Sequence, residues 1–254
     1  MELTSIGRQV RARAWGDGAE WAVASLPGLL GADDQVSGFP GEALPASLQQ
    51  AWRRLARSWR VPRSGLVLEA LVAAILEQKV TGVEARRAWR SLLVEVGDQA
   101  PGPVPVAMRV SPGADRIRQV PSWQWHRWGV SPRQSSTIVG ALSSPGRIEQ
   151  CATLPAQDAR RRLLSLAGVG AWTAAEVSQR ALGDPDAVSV GDFHLAHHVV
   201  YAFTGRRDGT DEQMLELLGP FDGHRYRVQR LVETAGVLRP ARGPRATITD
   251  HRRR

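Results

Sequence analysis

The chain has 254 residues, 43% of them hydrophobic, which is enough apolar material for one large domain or two small ones. Its net charge of +8 favours a polyanionic partner, although an arginine-rich composition with a basic tail at residues 251–254 would also account for it. Cys151 is the only cysteine, which excludes an intrachain disulfide and a cysteine-ligated iron–sulfur cluster. Because the sequence contains no signal-peptide core and no run of eighteen apolar residues, neither a leader nor a membrane span is expected.

Residues 1–45 differ from the rest of the chain and are predicted to form a short segment of their own. The alternation from Val10 to Trp15 predicts a strand, and residues 20–30 predict a short helix after a glycine turn. Residues 38–41, which contain two glycines and a proline, then break the chain before the next helix.

Helical periodicity dominates residues 46–237, which are predicted to be one helical domain of two lobes around a cleft. Residues 98–121 are rich in proline and are expected to be an ordered loop, and residues 238–254 a basic, disordered tail. The predicted helices are Leu48–Ser58, Val67–Gln78, Gly82–Val96, Pro132–Leu142, Arg147–Thr153, Ala156–Leu166, Ala171–Leu182, Asp192–Phe203, Asp211–Leu218 and Gly223–Ala235.

Two glycines, Gly168 and Gly170, separate the end of one predicted helix from the start of the next. Such a hairpin turns its backbone N–H groups outward at a helix N-terminus, which is a ready site for a phosphate. The alternative is an ordinary connection in which a glycine ends the first helix.

Asp192 follows the hairpin by about twenty residues and precedes an apolar helical run. A carboxylate close to a held phosphate suggests chemistry on a nucleic acid, because it can stabilise an oxocarbenium-like sugar or activate a water. The alternative, compatible with the first, is that Asp192 caps the helix that it precedes.

The hairpin Leu166–Gly170, the Trp172-Thr173-Ala174 that follows it, Asp192 and the segment Ile75–Thr81 together resemble the helix-hairpin-helix DNA glycosylases. The resemblance is to the alkylpurine (3-methyladenine) branch and covers roughly residues 50 to 236. It implies a mainly α fold with two helical lobes around a cleft, formed by residues 46–237. Residues 1–45 would then be the last part of the N-terminal β-rich domain that such enzymes often carry: either a short remnant of a reduced domain, or the end of a domain that begins earlier in a longer gene product.

The resemblance also implies roles for individual residues. Asp192 would be the catalytic aspartate. The amides of Gly168, Val169 and Gly170 would bind a phosphate of the damaged strand, sometimes with the help of a monovalent cation, and Thr173 would also contact DNA. Gln78 and Lys79 match the segment that enters the minor groove, although a cation at a helix C-terminus is favoured in any case.

Three residues are predicted to border the pocket for the flipped base. By resemblance, Trp172 would stack on a cationic alkylated purine, and Phe221 matches another position where relatives keep an aromatic. The alternative for both is an ordinary place in the core. Glu176 departs from the family, since some relatives have an aromatic there; its carboxylate could contact a cationic base or simply face solvent.

Lys79 is the only lysine among 33 basic residues. Glycosylases that also cut the strand need an amine for a Schiff base. In those relatives a lysine occupies the position of Trp172, so the resemblance implies base removal without lyase activity. His194 and His198 are one helical turn apart, but no third ligand follows them, so no metal is expected.

The resemblance thus implies a monofunctional glycosylase that hydrolyses the N-glycosidic bond of flipped alkylated purines such as 3-methyladenine or 7-methylguanine. Its partner would be double-stranded DNA, with no cofactor and no membrane, and it would act as a cytoplasmic, nucleoid-associated monomer. The main alternative is a non-catalytic helix-hairpin-helix DNA-binding protein. A third reading, a strand-cutting glycosylase for oxidised bases, conflicts with the missing hairpin lysine and cluster cysteines.

Overall fold

Two strands and fourteen α-helices are present in residues 1–7 and 9–240, which are the residues that the computed structural model describes. The strands are β1 (Glu2–Ile6) and β2 (Gln9–Arg13), which pair antiparallel with Leu3 opposite Ala12. The helices are α1 (Ala19–Ala24), α2 (Leu26–Leu29), α3 (Ala46–Leu55), α4 (Val67–Leu76), α5 (Gly82–Val96), α6 (Ala114–Arg118), α7 (Ser122–Arg127), α8 (Pro132–Ala141), α9 (Pro145–Glu149), α10 (Ala156–Leu164), α11 (Ala171–Val177), α12 (Leu195–Thr204), α13 (Asp211–Leu218) and α14 (Arg225–Ala235).

Several helix starts are fixed by side chains. At α5, the Thr81 hydroxyl accepts a hydrogen bond from the Glu84 amide while the Glu84 carboxylate accepts from the Thr81 amide. The same reciprocal arrangement links Ser131 and Gln134 at the start of α8. Each pair satisfies backbone donors that a helix N-terminus leaves without a partner, which is why these helices begin where they do.

Two separate hydrophobic cores define the two lobes. The first is built from residues 67–182, and its fully buried members include Leu71, Ile138 and Leu163. The second combines residues of α3 with residues of α12, α13 and α14, around Leu48 and Met214. This arrangement confirms the predicted two-lobed, mainly helical fold, and α3 completes a lobe whose other helices come from the C-terminal part.

A buried ion pair ties the N-terminal segment to the second lobe. The Arg227 guanidinium donates to both carboxylate oxygens of Asp34, at 2.5 and 3.0 Å, and the two side chains are 0% and 1% exposed. Asp34 also accepts from the Val61 amide at 2.9 Å. A few residues further along the chain, Phe39 packs against Phe221 of the second core, with their ring centroids 5.8 Å apart. The residues that follow α2 are therefore part of the lobe.

Some elements differ from the sequence prediction. Strand β1 was not predicted, because all five of its residues are exposed and it has no buried face to give an alternating pattern. The loop at 98–121 contains the short helix α6, which buries Ile117. The predicted tail lies outside the described residues from residue 241 onward. Within the described part of the chain, no helix has the length and apolar character needed to cross a membrane.

Candidate active site

The hairpin connects α10 to α11 and is fixed by one glycine. Gly168 has φ +82°, and a Cβ at this position would lie 2.2 Å from the Thr137 hydroxyl oxygen, so only glycine fits. Gly170 is exposed, and no described atom lies within 4 Å of where its Cβ would be. Val169, between them, is buried in the first core, and its amide, which was expected to bind a phosphate, donates instead to the Leu166 carbonyl at 3.1 Å. The hairpin is thus anchored on one side and open on the other.

The hairpin is braced from the end of α4. The Gln78 side-chain amide donates to the Gly168 carbonyl at 3.1 Å and to the Thr173 hydroxyl at 2.9 Å. Gln134 holds this segment in turn, since its side chain donates to the carbonyls of Ile75 and Leu76. The end of α4 therefore supports the hairpin mechanically.

Two residues that are expected to contact DNA take part in this brace. Gln78, expected to enter the minor groove, has its amide engaged with the hairpin, and the Thr173 side chain is buried and cannot reach DNA. Lys79 is exposed and has φ +55°, as the only non-glycine residue with positive φ in the described part of the chain. Lys79 and Thr81 are the exposed residues of the segment Ile75–Thr81.

Three N–H groups hold the Asp192 carboxylate. Its Oδ1 accepts from the amides of His194 at 2.8 Å and Leu195 at 2.9 Å, and its Oδ2 accepts from the Trp172 indole at 3.3 Å. The helix predicted to begin at Asp192 begins at Leu195, because Asp192 itself caps it from outside. The structure therefore combines the capping role with a fixed carboxylate beside Trp172, next to the hairpin.

Glu176 lies one helical turn after Trp172, at the centre of a polar network. The Ser189 hydroxyl donates to Glu176 Oε1 at 2.6 Å, and Arg180 donates to Oε2 at 2.7 Å. Arg180 also donates to Glu77 at 2.7 Å. Burial raises the pKa of Glu176, against the opposing effects of the Ser189 hydrogen bond and the Arg180 charge. The side chain is only 12% exposed, so it does not simply face solvent.

A cleft of about 540 Å³ opens where the two lobes meet. Its walls are residues 59–62, the end of α11 with the turn that follows it, and one face of α14. Glu176, Arg180 and Tyr226 line it. The cleft is therefore polar and lies further along α11 than Trp172.

One predicted pocket residue lies elsewhere, and one candidate was missed. Phe221 is 1% exposed and packs against Phe39 and Phe203 in the second core, so the expectation that it borders the pocket is corrected. Phe193, directly after Asp192, is 82% exposed, and its ring meets His194 edge-on at 4.8 Å. The sequence signal for Phe193 was its position directly after Asp192, the candidate catalytic aspartate.

The histidines near Asp192 serve other contacts. His197 Nδ1 accepts from the Gly209 amide, and His198 Nδ1 accepts from the Arg239 amide. Burial, followed by the neighbouring His194, lowers the pKa of His198. Across residues 1–7 and 9–240, no three His, Cys, Asp or Glu side chains are grouped as a metal site would need.

A monovalent cation at the hairpin would have to share its carbonyl ligands with existing hydrogen bonds. The Leu166 carbonyl accepts from the Val169 amide, the Gly168 carbonyl from the Gln78 side chain, and the Gly170 carbonyl from the Ala174 amide. Each carbonyl oxygen has a second lone pair. The hairpin therefore retains the acceptors that such a cation would use.

The chain is similar to known proteins in sequence and in structure. No protein-family model matches it. An AlkA of Mycobacterium tuberculosis, described as a probable bifunctional transcriptional activator and DNA repair enzyme, is 28% identical over 136 residues, which are 54% of this chain and 27% of that protein. The chain thus matches about a quarter of the length of this curated relative.

Solved structures match over most of the chain. The 3-methyladenine DNA glycosylase of Archaeoglobus fulgidus has a TM-score of 0.72 at 19% identity, covering 88% of this chain and 77% of that one. An 8-oxoguanine glycosylase/lyase of Clostridium acetobutylicum, bound to double-stranded DNA, has a TM-score of 0.69 at 13% identity, covering 92% and 80%. The chain has the fold of the helix-hairpin-helix DNA glycosylases. The curated relative and these structures agree with the resemblance that the sequence motifs carry.

Proposed function

We propose that this chain is a DNA repair glycosylase that hydrolyses the N-glycosidic bond of alkylated purines in double-stranded DNA and does not cut the strand. The observation that carries the proposal is the Asp192 carboxylate, held by two backbone amides and by Trp172 beside the glycine hairpin. The likeness to the Archaeoglobus fulgidus 3-methyladenine glycosylase and to the curated AlkA supports this substrate class.

Binding begins at the hairpin in this mechanism. The amides of the exposed residues Gly168, Gly170 and Ala171 bind a phosphate, since a helix N-terminus favours negative charge. Lys79 lies beside them and adds a cation toward the strand. The damaged nucleotide then leaves the stack and its base enters the cleft. One molecule of the chain suffices for these steps.

Asp192 acts on the sugar once the base has left the stack. As the bond from C1′ to the base nitrogen lengthens, the electron pair leaves with the base and positive charge grows on the sugar. The carboxylate stabilises that charge, orients the water whose oxygen bonds to C1′ and accepts the proton that this water loses. An alkylated purine already carries positive charge and is a good leaving group. Trp172 stacks on that cationic ring.

We propose no lyase step because the chain has no lysine at the position that strand-cutting relatives use. A Schiff base with the sugar needs a nucleophilic amine, and Trp172 occupies the position where strand-cutting relatives have lysine. Borohydride reduction in the presence of abasic DNA should therefore trap no covalent complex. A trapped complex that disappears in the Lys79→Ala variant would instead make the chain a lyase.

The first experiment is to incubate the protein with methylated genomic DNA and measure the free bases released. The wild type should release methylpurines, and Asp192→Asn should reduce release by about 10³-fold or more while binding DNA normally. Asparagine keeps a side-chain oxygen for the amides of His194 and Leu195, so the cap of α12 survives. Asp115→Asn, at a surface residue whose side chain is 86% exposed, is the matched control for the loss of one carboxylate charge.

Two results would contradict the proposal. Near-normal release by Asp192→Asn would remove the catalytic role from Asp192. Tight DNA binding by the wild type with no released base would favour a non-catalytic DNA-binding protein.

A further inference from the structure

Glu176 lies where the far edge of a bound purine would reach. Trp172, whose indole contacts Asp192, precedes it by four residues on the same face of α11. One helical turn advances about 5.4 Å, which is comparable to the distance from the glycosidic nitrogen of a purine to the exocyclic atom at its six-position. A base that stacks on Trp172 with its glycosidic bond at Asp192 therefore presents its six-position toward Glu176.

The hydrogen bonds around Glu176 fix it as an acceptor. The Gln179 side-chain amide donates to Ser189 Oγ at 2.8 Å, which directs the Ser189 hydroxyl hydrogen to Glu176 Oε1. Arg180 donates to Oε2. Both neighbours are thus donors and favour the ionised carboxylate.

Acceptor capacity remains on the cleft side. An ionised carboxylate offers about four lone-pair sites, and Ser189 and Arg180 use two of them. Glu176 is part of the cleft wall. Its free lone pairs are therefore available to a hydrogen-bond donor on a base in the cleft.

The two common purines differ at the six-position. Adenine carries an amino group, which donates, and guanine carries a carbonyl oxygen, which accepts. A buried carboxylate hydrogen-bonds the amino group and repels the oxygen, and an unpaired polar group in a closed site is costly.

We infer that Glu176 is a specificity-determining residue that selects alkylated adenines over alkylated guanines. The inference rests on the proposed function, since it concerns the base that the cleft accepts. Ser189 is a positioning residue, because it acts only through Glu176.

The test compares two cationic bases that both carry a methyl group at N3. Methylated genomic DNA contains 3-methyladenine and 3-methylguanine, and the initial rates of their release are measured by chromatography for each variant. We expect the wild type to favour 3-methyladenine by at least about tenfold, after correction for abundance. In Glu176→Gln the preference should fall to near unity, because the amide can turn its N–H toward a carbonyl oxygen.

Two further variants separate position from charge. Ser189→Ala removes the hydroxyl that holds Glu176 Oε1 and should lower the preference part of the way. Glu216→Gln removes one negative charge from the exposed side of α13 and should leave the preference unchanged. If Glu176→Gln does not fold, as judged by thermal melting, Ser189→Ala decides the question, and an unchanged preference in it counts against the inference.

The outcomes distinguish this inference from the proposed function. Equal release of the two bases by the wild type, or an unchanged preference in Glu176→Gln, would overturn the role of Glu176 and leave the glycosylase standing. A wild type that releases no methylpurine at all would overturn both.

Discussion

At the residue scale, the contact between Trp172 and Asp192 can be separated from the stacking surface of Trp172. The indole N–H donates to Asp192 Oδ2 at 3.3 Å. Trp172→Phe keeps an aromatic face and removes this donor, so we expect base release to slow about tenfold, as for a lost hydrogen bond to a charged group. The melting temperature should stay close to the wild-type value, because Asp192 keeps both backbone donors. Single-turnover release measures the effect, and a wild-type rate would show that the indole N–H is dispensable.

The protonation of Glu176 gives a second prediction at this scale. Burial raises its pKa, and the charged groups Glu77 and Asp192 raise it further, against Ser189 and Arg180. A raised pKa means that Glu176 gains its proton at a higher pH than an ordinary glutamate as the solution is acidified. Protonated, it can donate to a carbonyl oxygen. The preference for 3-methyladenine should therefore weaken as the pH falls.

That pH effect has a direct control. Glu176→Gln has no proton to gain, so its release ratio should be flat over the same range of pH. If the wild-type ratio of 3-methyladenine to 3-methylguanine release stays constant as the pH is lowered to the range where an ordinary glutamate titrates, Glu176 does not determine which base is released.

At the element scale, the two glycines of the hairpin have different roles: Gly168 is needed for folding, and Gly170 is proposed to leave room for a phosphate. Gly168→Ala places a Cβ 2.2 Å from the Thr137 hydroxyl at φ +82°, so we expect it to lower the free energy of unfolding by about 1–3 kcal/mol. Gly170→Ala should change the free energy of unfolding by less than about 0.5 kcal/mol, but its methyl group projects into the space a phosphate would occupy. Urea unfolding and DNA titration at fixed salt measure the two effects. Wild-type affinity in Gly170→Ala would contradict phosphate binding by the hairpin.

The sequence predicts helices well where one face is buried. Periodic apolar residues located α4 and α5, and glycines located the hairpin. Strand β1 lacks a buried face and α6 is a single short turn, so neither leaves a periodic signal. The start of α12 was placed three residues early, because a capping aspartate and a first helical residue look alike in sequence.

The candidate site was predictable in composition and less so in orientation. The Trp172 indole, two residues after Gly170, contacts the Asp192 carboxylate. The orientation of Gln78 depends on Gly168 and Thr173, about 90 residues away in sequence, and no local pattern carries such a contact. Phe221 is buried because Phe39, far upstream, packs on it.

At the scale of the whole molecule, the pair of Asp34 and Arg227 closes the second lobe. Asp34→Asn would leave the Arg227 guanidinium, 0% exposed, without a charged partner, which should cost about 3–5 kcal/mol in free energy of unfolding. Asp33→Asn is the matched control: its partner is Arg63, and both side chains are about half exposed, so its effect should be below about 1 kcal/mol. Chemical denaturation of both variants measures the difference. Equal, small losses would show that the buried pair is not needed.

The order of the lobes along the chain has a consequence for synthesis on the ribosome. The core of the first lobe uses residues 67–182 alone, so all of it, hairpin included, has been translated before α12 emerges. Helix α3 is translated earlier, but the helices that it packs against, α12, α13 and α14, are translated last. Asp34 and Arg227 are 193 residues apart in sequence, so their ion pair also forms late. Because domains fold as units while translation proceeds, we expect the hairpin of the nascent chain to fold before the second lobe positions Asp192. The carboxylate arrives with the last lobe, so a truncated chain can fold the hairpin and yet lack the residue proposed to break the glycosidic bond.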